Sequence, residues 1–464
     1  MPDRQRLRWL RRPARRRHGP NHRRRTELGL LLFTSLIVVA AYVLATVGTT
    51  ARIPAELGLF LVIVLGLALA AHLATRWYAP DANPVVLPLA ALLNGLGYAM
   101  LARLDPHYAR LQAGWTAVGI LAYVLTLMTV RHSRDLDRYR YLLLMVAALL
   151  LLAPLVPHLG KNINGARLWV YIGPVNGQPV ELAKILLAVF FASYFSEKRE
   201  LLSFPTLRVG DRLVLDPRPV GPILLAWGFC MLVLGAERDV GFAMLLFVLF
   251  IAMLWLATGR AMWLGFGAVL FVVGAVVADK AFSQVGQRVT DWLHPWNHAS
   301  TGAYQLVQGL YAFGSGGLTG TGMGYGLVHG IPEIKTDYIF AAFGNEMGLL
   351  GTTLIVFAFV LLAGSGLRIA QAARSEFAKM TAAGLTLIIG MQAFFIMAGI
   401  IRLLPLTGIT LPFMAYGGSS LVANYILIAL LVRISDEGER ALSTQAIATR
   451  LPAGAGAGAS AVTA

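Results

Sequence analysis

Apolar runs of about 20 residues recur along this chain, the length a helix needs to cross a hydrocarbon core roughly 30 Å thick. They fall at 28–48, 57–75, 84–102, 113–130, 140–157, 180–196, 219–236, 240–259, 262–280, 338–366, 379–401 and 411–433. The pattern predicts an all-α fold, a polytopic integral membrane helix bundle of about twelve transmembrane helices. Two intervening stretches, 158–178 and 281–337, are long and rich in polar residues, Gly and Trp, and both are expected as functional loops. No internal or inverted repeat of the kind common in secondary transporters is visible.

Composition agrees with lipid as the main solvent: 57% of residues are hydrophobic and 13% charged, with a mean hydropathy of +0.67. The formal net charge of +16 would suit nucleic acid, but it is concentrated in the arginine-rich first 26 residues and in short loops between apolar runs. Anionic headgroups and membrane topology explain that distribution better. With the first tail cytoplasmic, the loops carrying Arg131, Arg134, Arg138, Lys198, Arg199, Arg260, Arg368 and Lys379 all fall on the cytoplasmic side. Both termini are then cytoplasmic, 158–178 and 281–337 face outward, and the chain is expected in the cell inner (plasma) membrane with an uncleaved first helix. The single Cys230 lies inside an apolar run, which excludes an intramolecular disulfide. The Ala/Gly-rich end, 453–464, is expected to be disordered.

Charges that a bilayer normally excludes are the first candidates for chemistry. Asp337 stands where the Gly-rich polar stretch meets an apolar helix, and an N-cap role competes there with a functional one. The two are compatible, since a carboxylate held at a helix start can still accept a proton. Glu346 lies about two turns further on, where a charge costs roughly 2.5–3.5 kcal/mol, so it needs a polar cavity, a partner or a proton. An amide there would keep hydrogen bonds, making Glu346→Gln milder than Glu346→Ala. Glu181 and Lys184 can meet on one helix face, as a neutralising pair near the headgroups or as substrate contacts. The turn Glu237-Arg238-Asp239 is expected to be solvated. Glycines in 314–326 could let backbone amides approach a phosphate or sugar, but the stretch lacks the Gly-Lys-Ser/Thr ending of a nucleotide loop. His294 and His298 could share a metal only on a helix, and Pro295 argues against one.

The order of motifs narrows these alternatives. Asn164-Gly-Ala-Arg-Leu-Trp169, Gln178-Pro-Val-Glu-Leu-Ala-Lys184, Asp239-Val-Gly241 and Gly302-Ala-Tyr-Gln305 come first. Pro332-Glu-Ile-Lys-Thr-Asp-Tyr-Ile-Phe340 with Glu346, Pro405-Leu-Thr-Gly408 and Leu411-Pro-Phe-Met-Ala-Tyr-Gly-Gly-Ser-Ser420 follow. Over roughly residues 110–435 the chain resembles the shape, elongation, division and sporulation (SEDS) family of RodA and FtsW proteins. Two extra N-terminal spans, Leu93-Asn-Gly-Leu-Gly97 and Ala423-Asn-Tyr-Ile426 make it most similar to the RodA branch of high-GC Gram-positive bacteria. On that plan residues 1–26 are a basic cytoplasmic tail, 27–109 N-terminal transmembrane helices, 110–435 the core, and 436–464 a disordered cytoplasmic tail.

The resemblance implies a peptidoglycan glycosyltransferase that polymerises lipid II into glycan strands at the outer leaflet, for elongation and shape or for division. Its implied partner is a class B penicillin-binding protein, the transpeptidase. Asp337 takes the place of the catalytic carboxylate, and the implied substrate-binding residues are Lys161, Arg167, Trp169, Glu181, Lys184, Asp239, Tyr304, Gln305, Glu346, Ser419 and Ser420. Lys161, Arg167 and Lys184 are the candidates for the pyrophosphate, with helix N-termini or a divalent cation, Mg or Mn, as further ones. No nucleotide is required. The chain departs from the family at Val180 and Ala415, where Ser is frequent, at His294-Pro295 in place of Asp-Pro, and at Asn345 where many members have Glu. A lipid II flippase or another lipid or solute transporter is the alternative, disfavoured by the gathering of Asp337, Lys161 and Arg167 toward one face.

Overall fold

The computed structural model describes residues 20–54, 57–163, 166–172, 175–203, 207–209, 212–214 and 221–448. Most of the basic tail, Asn164, Gly165 and the Ala/Gly-rich end lie outside these residues. The chain opens with α1 (Pro20–Thr50), α2 (Leu57–Tyr78), α3 (Val86–Leu104), α4 (Pro106–Thr129), α5 (Ser133–Arg138) and α6 (Arg140–Leu152). A sheet of β1 (Gly160–Ile163), β2 (Ala166–Ile172) and β3 (Val175–Gly177) leads to α7 (Val180–Ser203) and to a hairpin of β4 (Leu207–Val209) and β5 (Arg212–Val214). Then come α8 (Gly221–Glu237), α9 (Val240–Thr258), α10 (Met262–Ala281), α11 (Ser283–Leu293), a 3-10 turn (Pro295–His298) and α12 (Tyr304–Gly316). The last three helices are α13 (Ile339–Ala372), α14 (Glu376–Ile400) and α15 (Gly418–Ala448).

Every predicted apolar run overlaps a helix, because in lipid a helix is the simplest way for a single segment to satisfy its own backbone. Among the described residues nine helices are long and apolar enough to cross a membrane, while α6 and α8 are shorter apolar helices. The most apolar windows of α14 and α15 are 78% buried and that of α10 only 6%, so α14 and α15 form the core while α10 rides on the lipid-facing outside. Close approach in that core depends on small residues: Gly384 of α14 packs on Met253 and Ala188, and Gly366 of α13 on Thr386.

The interruptions differ from the sequence expectation in four places. The stretch 158–178 is an antiparallel sheet in register Lys161↔Trp169 and Tyr171↔Asn176, so the helical bundle carries a small β-element. The stretch 281–337 holds α11, the 3-10 turn and α12 before it becomes loop. The last span starts at Gly418 instead of 411, since Pro412 and the left-handed Phe413 (φ 65°) occupy a loop. Gly418 then lets the Trp115 ring close against the helix start. Finally, 436–448 is helical, held by Asp436 Oδ1 accepting from Asp81 N at 2.8 Å and by Arg23 on Glu439 at 2.7 Å.

The glycines of 317–326 serve the fold. Helix α13 breaks at Gly348 (φ 64°, ψ −163°), and the preceding loop splints the break. Thr321 N donates to Asn345 O at 2.9 Å and Gly322 N to Glu346 O at 3.0 Å, while Gly317 O accepts from Leu349 N at 2.9 Å. A side chain on Gly320 or Gly348 would collide with the facing backbone, which accounts for the composition without a phosphate.

Ties between Arg23 and Glu439, Asp81 and Asp436, and Ser133 and Glu437 gather at one end of the bundle. At the other end the β1–β3 sheet, α11, the start of α12 and residues 333–337 surround a polar cavity.

Candidate active site

Asp337 is presented by a segment anchored on every side. Ile334 and Tyr338 are buried on either side of it. Gln305 Nε2 donates to Pro332 O at 3.0 Å, Lys335 Nζ to Asp105 Oδ2 at 2.7 Å, and Tyr416 N to Lys335 O at 2.9 Å. Glu333, in the left-handed region at φ 52°, accepts at its carbonyl from Thr336 N and Tyr338 N, both at 3.1 Å. The N-cap of α13 is Tyr338, and no side chain caps it. Thr336 turns its hydroxyl to Glu333, so capping does not explain Asp337. Its carboxylate has no hydrogen bond or ion pair among the described residues and lines the cavity. Burial, then the nearby Glu333 charge, push the Asp337 carboxyl up to about 7, with Arg288 opposing them.

The cavity encloses about 650 Å³. One wall is β2, through Leu168, Trp169 and Tyr171, and another is the loop and first turn from Leu406 to Ser420. Helix α11 supplies Gln284, Gln287, Arg288 and Asp291, spaced i, i+3, i+4, i+7 and hence on one face. Reading 281–337 as loop hides these residues, although the polar stripe is present in the sequence. Arg288 Nη1 donates to Leu406 O at 3.4 Å and Thr407 O at 3.2 Å, which ties α11 to the opposite loop.

The α8–α9 turn is folded inward, contrary to the expectation of a solvated one. Glu237 and Asp239 are buried because Gly241 packs against Thr407 O and Ile409. Asp239 caps α9, its Oδ1 accepting from Phe242 N at 3.0 Å. Burial pushes its carboxyl up to about 6, against the pull of that amide and of Arg288. Arg238, left-handed at φ 61°, is exposed to the cavity beside it.

Of the residues suggested by sequence, Asp337, Trp169, Asp239, Gln305, Ser419 and Ser420 line this cavity together. Ser419 Oγ accepts from Gln178 N at 2.9 Å, fastening β3 to α15, and Ser420 Oγ lies 3.0 Å from Thr410 Oγ1. The others lie elsewhere. Lys161 sits 4.3 Å over the ring of Tyr171, Arg167 is exposed beside the wall, and Tyr304 is exposed at the start of α12. Lys184 and Glu181 are buried as an ion pair within the bundle. Lys184 Nζ also donates to Gln392 Oε1 at 2.7 Å, and Gln392 Nε2 to Thr410 O at 2.9 Å, so the pair reaches the cavity wall only through backbone. Glu346 is buried against Arg103. No three His, Cys, Asp or Glu side chains among the described residues converge to hold a metal ion. A cation held by one carboxylate and phosphate oxygens would need no such cluster.

The profile of the FtsW/RodA/SpoVE family, described as cell cycle proteins, matches residues 96–440. The chain is 39% identical over 434 residues to the peptidoglycan glycosyltransferase RodA of Mycobacterium tuberculosis, covering 91% of this chain and 92% of that relative. Among solved structures it resembles a chain from a study of structural coordination of polymerization and crosslinking by a peptidoglycan synthase complex. There the TM-score is 0.63 at 24% identity, over 77% of this chain and 98% of that one. The rod shape determining protein RodA of Thermus thermophilus matches with a TM-score of 0.55 at 23% identity, over 76% and 96% of the two chains. At these identities the structures attest a shared fold.

Proposed function

The chain belongs to the FtsW/RodA/SpoVE family of cell cycle proteins, and from that premise we propose that it is a peptidoglycan glycosyltransferase polymerising lipid II at the outer leaflet. It is a multi-pass membrane protein. The observation that carries the reading is the Asp337 carboxylate, without a hydrogen bond or ion pair among the described residues, in a polar cavity that Trp169, Gln305 and Ser419 also line. An indole face, an amide and a hydroxyl are groups suited to a sugar. A carboxyl near 7 is suited to a general base at physiological pH.

In this mechanism the 4-hydroxyl of one sugar attacks the anomeric carbon of another and gives its proton to Asp337. The bond from that carbon to the prenyl diphosphate breaks, and its electron pair leaves with the phosphate oxygen, inverting the centre. Energy stored in the diphosphate linkage drives the step without a nucleotide.

The positive loops between spans support an orientation with both termini cytoplasmic and the cavity outside. Similarity to a RodA relative supports a role in elongation and shape. A solved relative concerned with polymerization and crosslinking supports a class B penicillin-binding protein as partner. The test is to give purified protein and that partner labelled lipid II and to resolve the products by length. Polymer that disappears with Asp337→Ala is the expected result. Scrambling of lipid II between leaflets without polymer would instead identify a transporter.

A further inference from the structure

If the chain transfers sugars from a prenyl diphosphate, the cavity must stabilise a departing diphosphate, and the inference below rests on that glycosyltransferase reading. None of the cations suggested by sequence lines the cavity: Lys161 stacks on Tyr171, Arg167 is exposed outside it, and Lys184 is engaged by Glu181 and Gln392. The cations lining it, among the described residues, are Arg238 and Arg288. They share the walls with the carboxylates of Asp239, Asp291, Glu333 and Asp337, and an entering polyanion meets no other positive side chain there among the described residues.

Arg288 is only partly committed. Its Nη1 donates to Leu406 O and Thr407 O, which orients the guanidinium plane, and no hydrogen bond to Nε or Nη2 is found among the described residues. Arg288 lines the same cavity as Arg238, Asp239 and Asp337, and its charge opposes the rise of both carboxyls. The Arg238 side chain makes no hydrogen bond or ion pair among the described residues, while its backbone N–H donates to Gly235 O at 3.1 Å and holds a left-handed conformation that a non-glycine residue adopts at some cost. The first turn of α15, including Gly418, Ser419 and Ser420, lines the same cavity and adds the positive end of a long helix.

We propose that Arg288 and Arg238 form the diphosphate subsite for the prenyl-linked donor. Arg288 acts as a fork pre-set by the Leu406 and Thr407 carbonyls, and Arg238 as the second cation. Guanidinium forks match phosphate oxygens in geometry and charge. Together they neutralise the oxygen that receives the electron pair of the broken bond.

The full-length chain in detergent is titrated by native mass spectrometry with undecaprenyl diphosphate, undecaprenyl phosphate and undecaprenol. The expected wild-type preference is for the diphosphate. Arg238→Gln and Arg288→Gln should each weaken diphosphate binding by about tenfold or more while leaving undecaprenol binding unchanged. Arg288→Lys should fall between, and Asp337→Asn should keep the preference. Arg238→Gln removes no hydrogen bond of the fold, so it carries the test even if Arg288 variants unfold. Wild-type diphosphate affinity in Arg238→Gln, or an equal loss of all three lipids, overturns the subsite. Wild-type protein that polymerises lipid II yet shows no diphosphate preference overturns the subsite alone. With neither polymer nor preference, the glycosyltransferase reading falls as well.

Discussion

Arg103 Nε and Glu346 Oε1 meet at 2.5 Å inside the bundle, an ion pair between α3 and α13 with both side chains closed to solvent. Arg103 also donates to Gly326 O and contacts His329 Nε2 at 2.7 Å, while Glu346 Oε2 accepts from Gly324 N at 2.8 Å. One pair therefore joins two helices and pins the loop that precedes the Asp337 segment.

That pairing adds a cost to Glu346→Gln that its retained hydrogen bonds do not offset. Glu346→Gln leaves the Arg103 charge unmatched in a low-dielectric interior, and breaking such a pair costs about 3–5 kcal/mol. Glu346→Gln and Glu346→Ala should both lower thermal stability in detergent severely, and Arg103→Gln combined with Glu346→Gln should recover part of the loss. Simple additivity of the two changes would show that the pair does not couple.

For Asp337→Asn the expectation is opposite in kind. Its carboxylate makes no hydrogen bond among the described residues, so unfolding should be unchanged while turnover of lipid II falls by about 10² to 10⁴. Polymerisation at the wild-type rate by this variant would remove Asp337 from the base role.

The pH dependence follows from the same carboxyl, raised to about 7. A base must be ionised, so kcat/KM should fall as pH drops through about 7 and level off above it. Glu333→Gln removes a like charge, lowers the Asp337 pKa and should move the acidic limb to lower pH. Arg288→Gln removes the opposing positive charge and should move it to higher pH. An identical limb in wild type and Glu333→Gln would assign it to another group.

The helix break supplies a folding test. Gly348→Ala places a Cβ against Gly320 N at a positive φ, and should abolish recovery of folded protein. Gly364 in the same helix has nothing near its missing side chain, so Gly364→Ala should be close to neutral in the same expression and unfolding assay.

Lys184 separates a packing role from substrate contact. Lys184→Met strands Glu181 in the interior, and should lower stability while the KM of surviving enzyme stays constant. Adding Glu181→Leu should restore stability. A raised KM in the stable double variant would return Lys184 to the substrate.

Helix positions were legible because lipid leaves a spanning backbone few solutions, and an apolar run of sufficient length is visible without knowing its neighbours. The Glu181–Lys184 pair was legible too, since i,i+3 spacing alone brings the residues together. Asp337 was visible as a motif residue at a helix start. Arg288 was not, because α11 is short and its stripe of Gln284, Gln287, Arg288 and Asp291 faces a cavity inside a stretch with no span-length apolar run. Gln392 was equally hidden: 208 residues separate it from the lysine it binds.

By itself the sequence determined that apolar helices build the chain, the family it belongs to and the carboxylate to examine, since hydropathy and motif order are local properties of the chain. Only tertiary packing decided which partners the charges meet: Arg103 with Glu346, Lys184 with the Gln392 amide, and Arg288 with the Leu406 and Thr407 carbonyls. The physical reason is that charge pairing acts over a few ångströms, and helices distant in sequence come that close only through the close contact of small residues in the core.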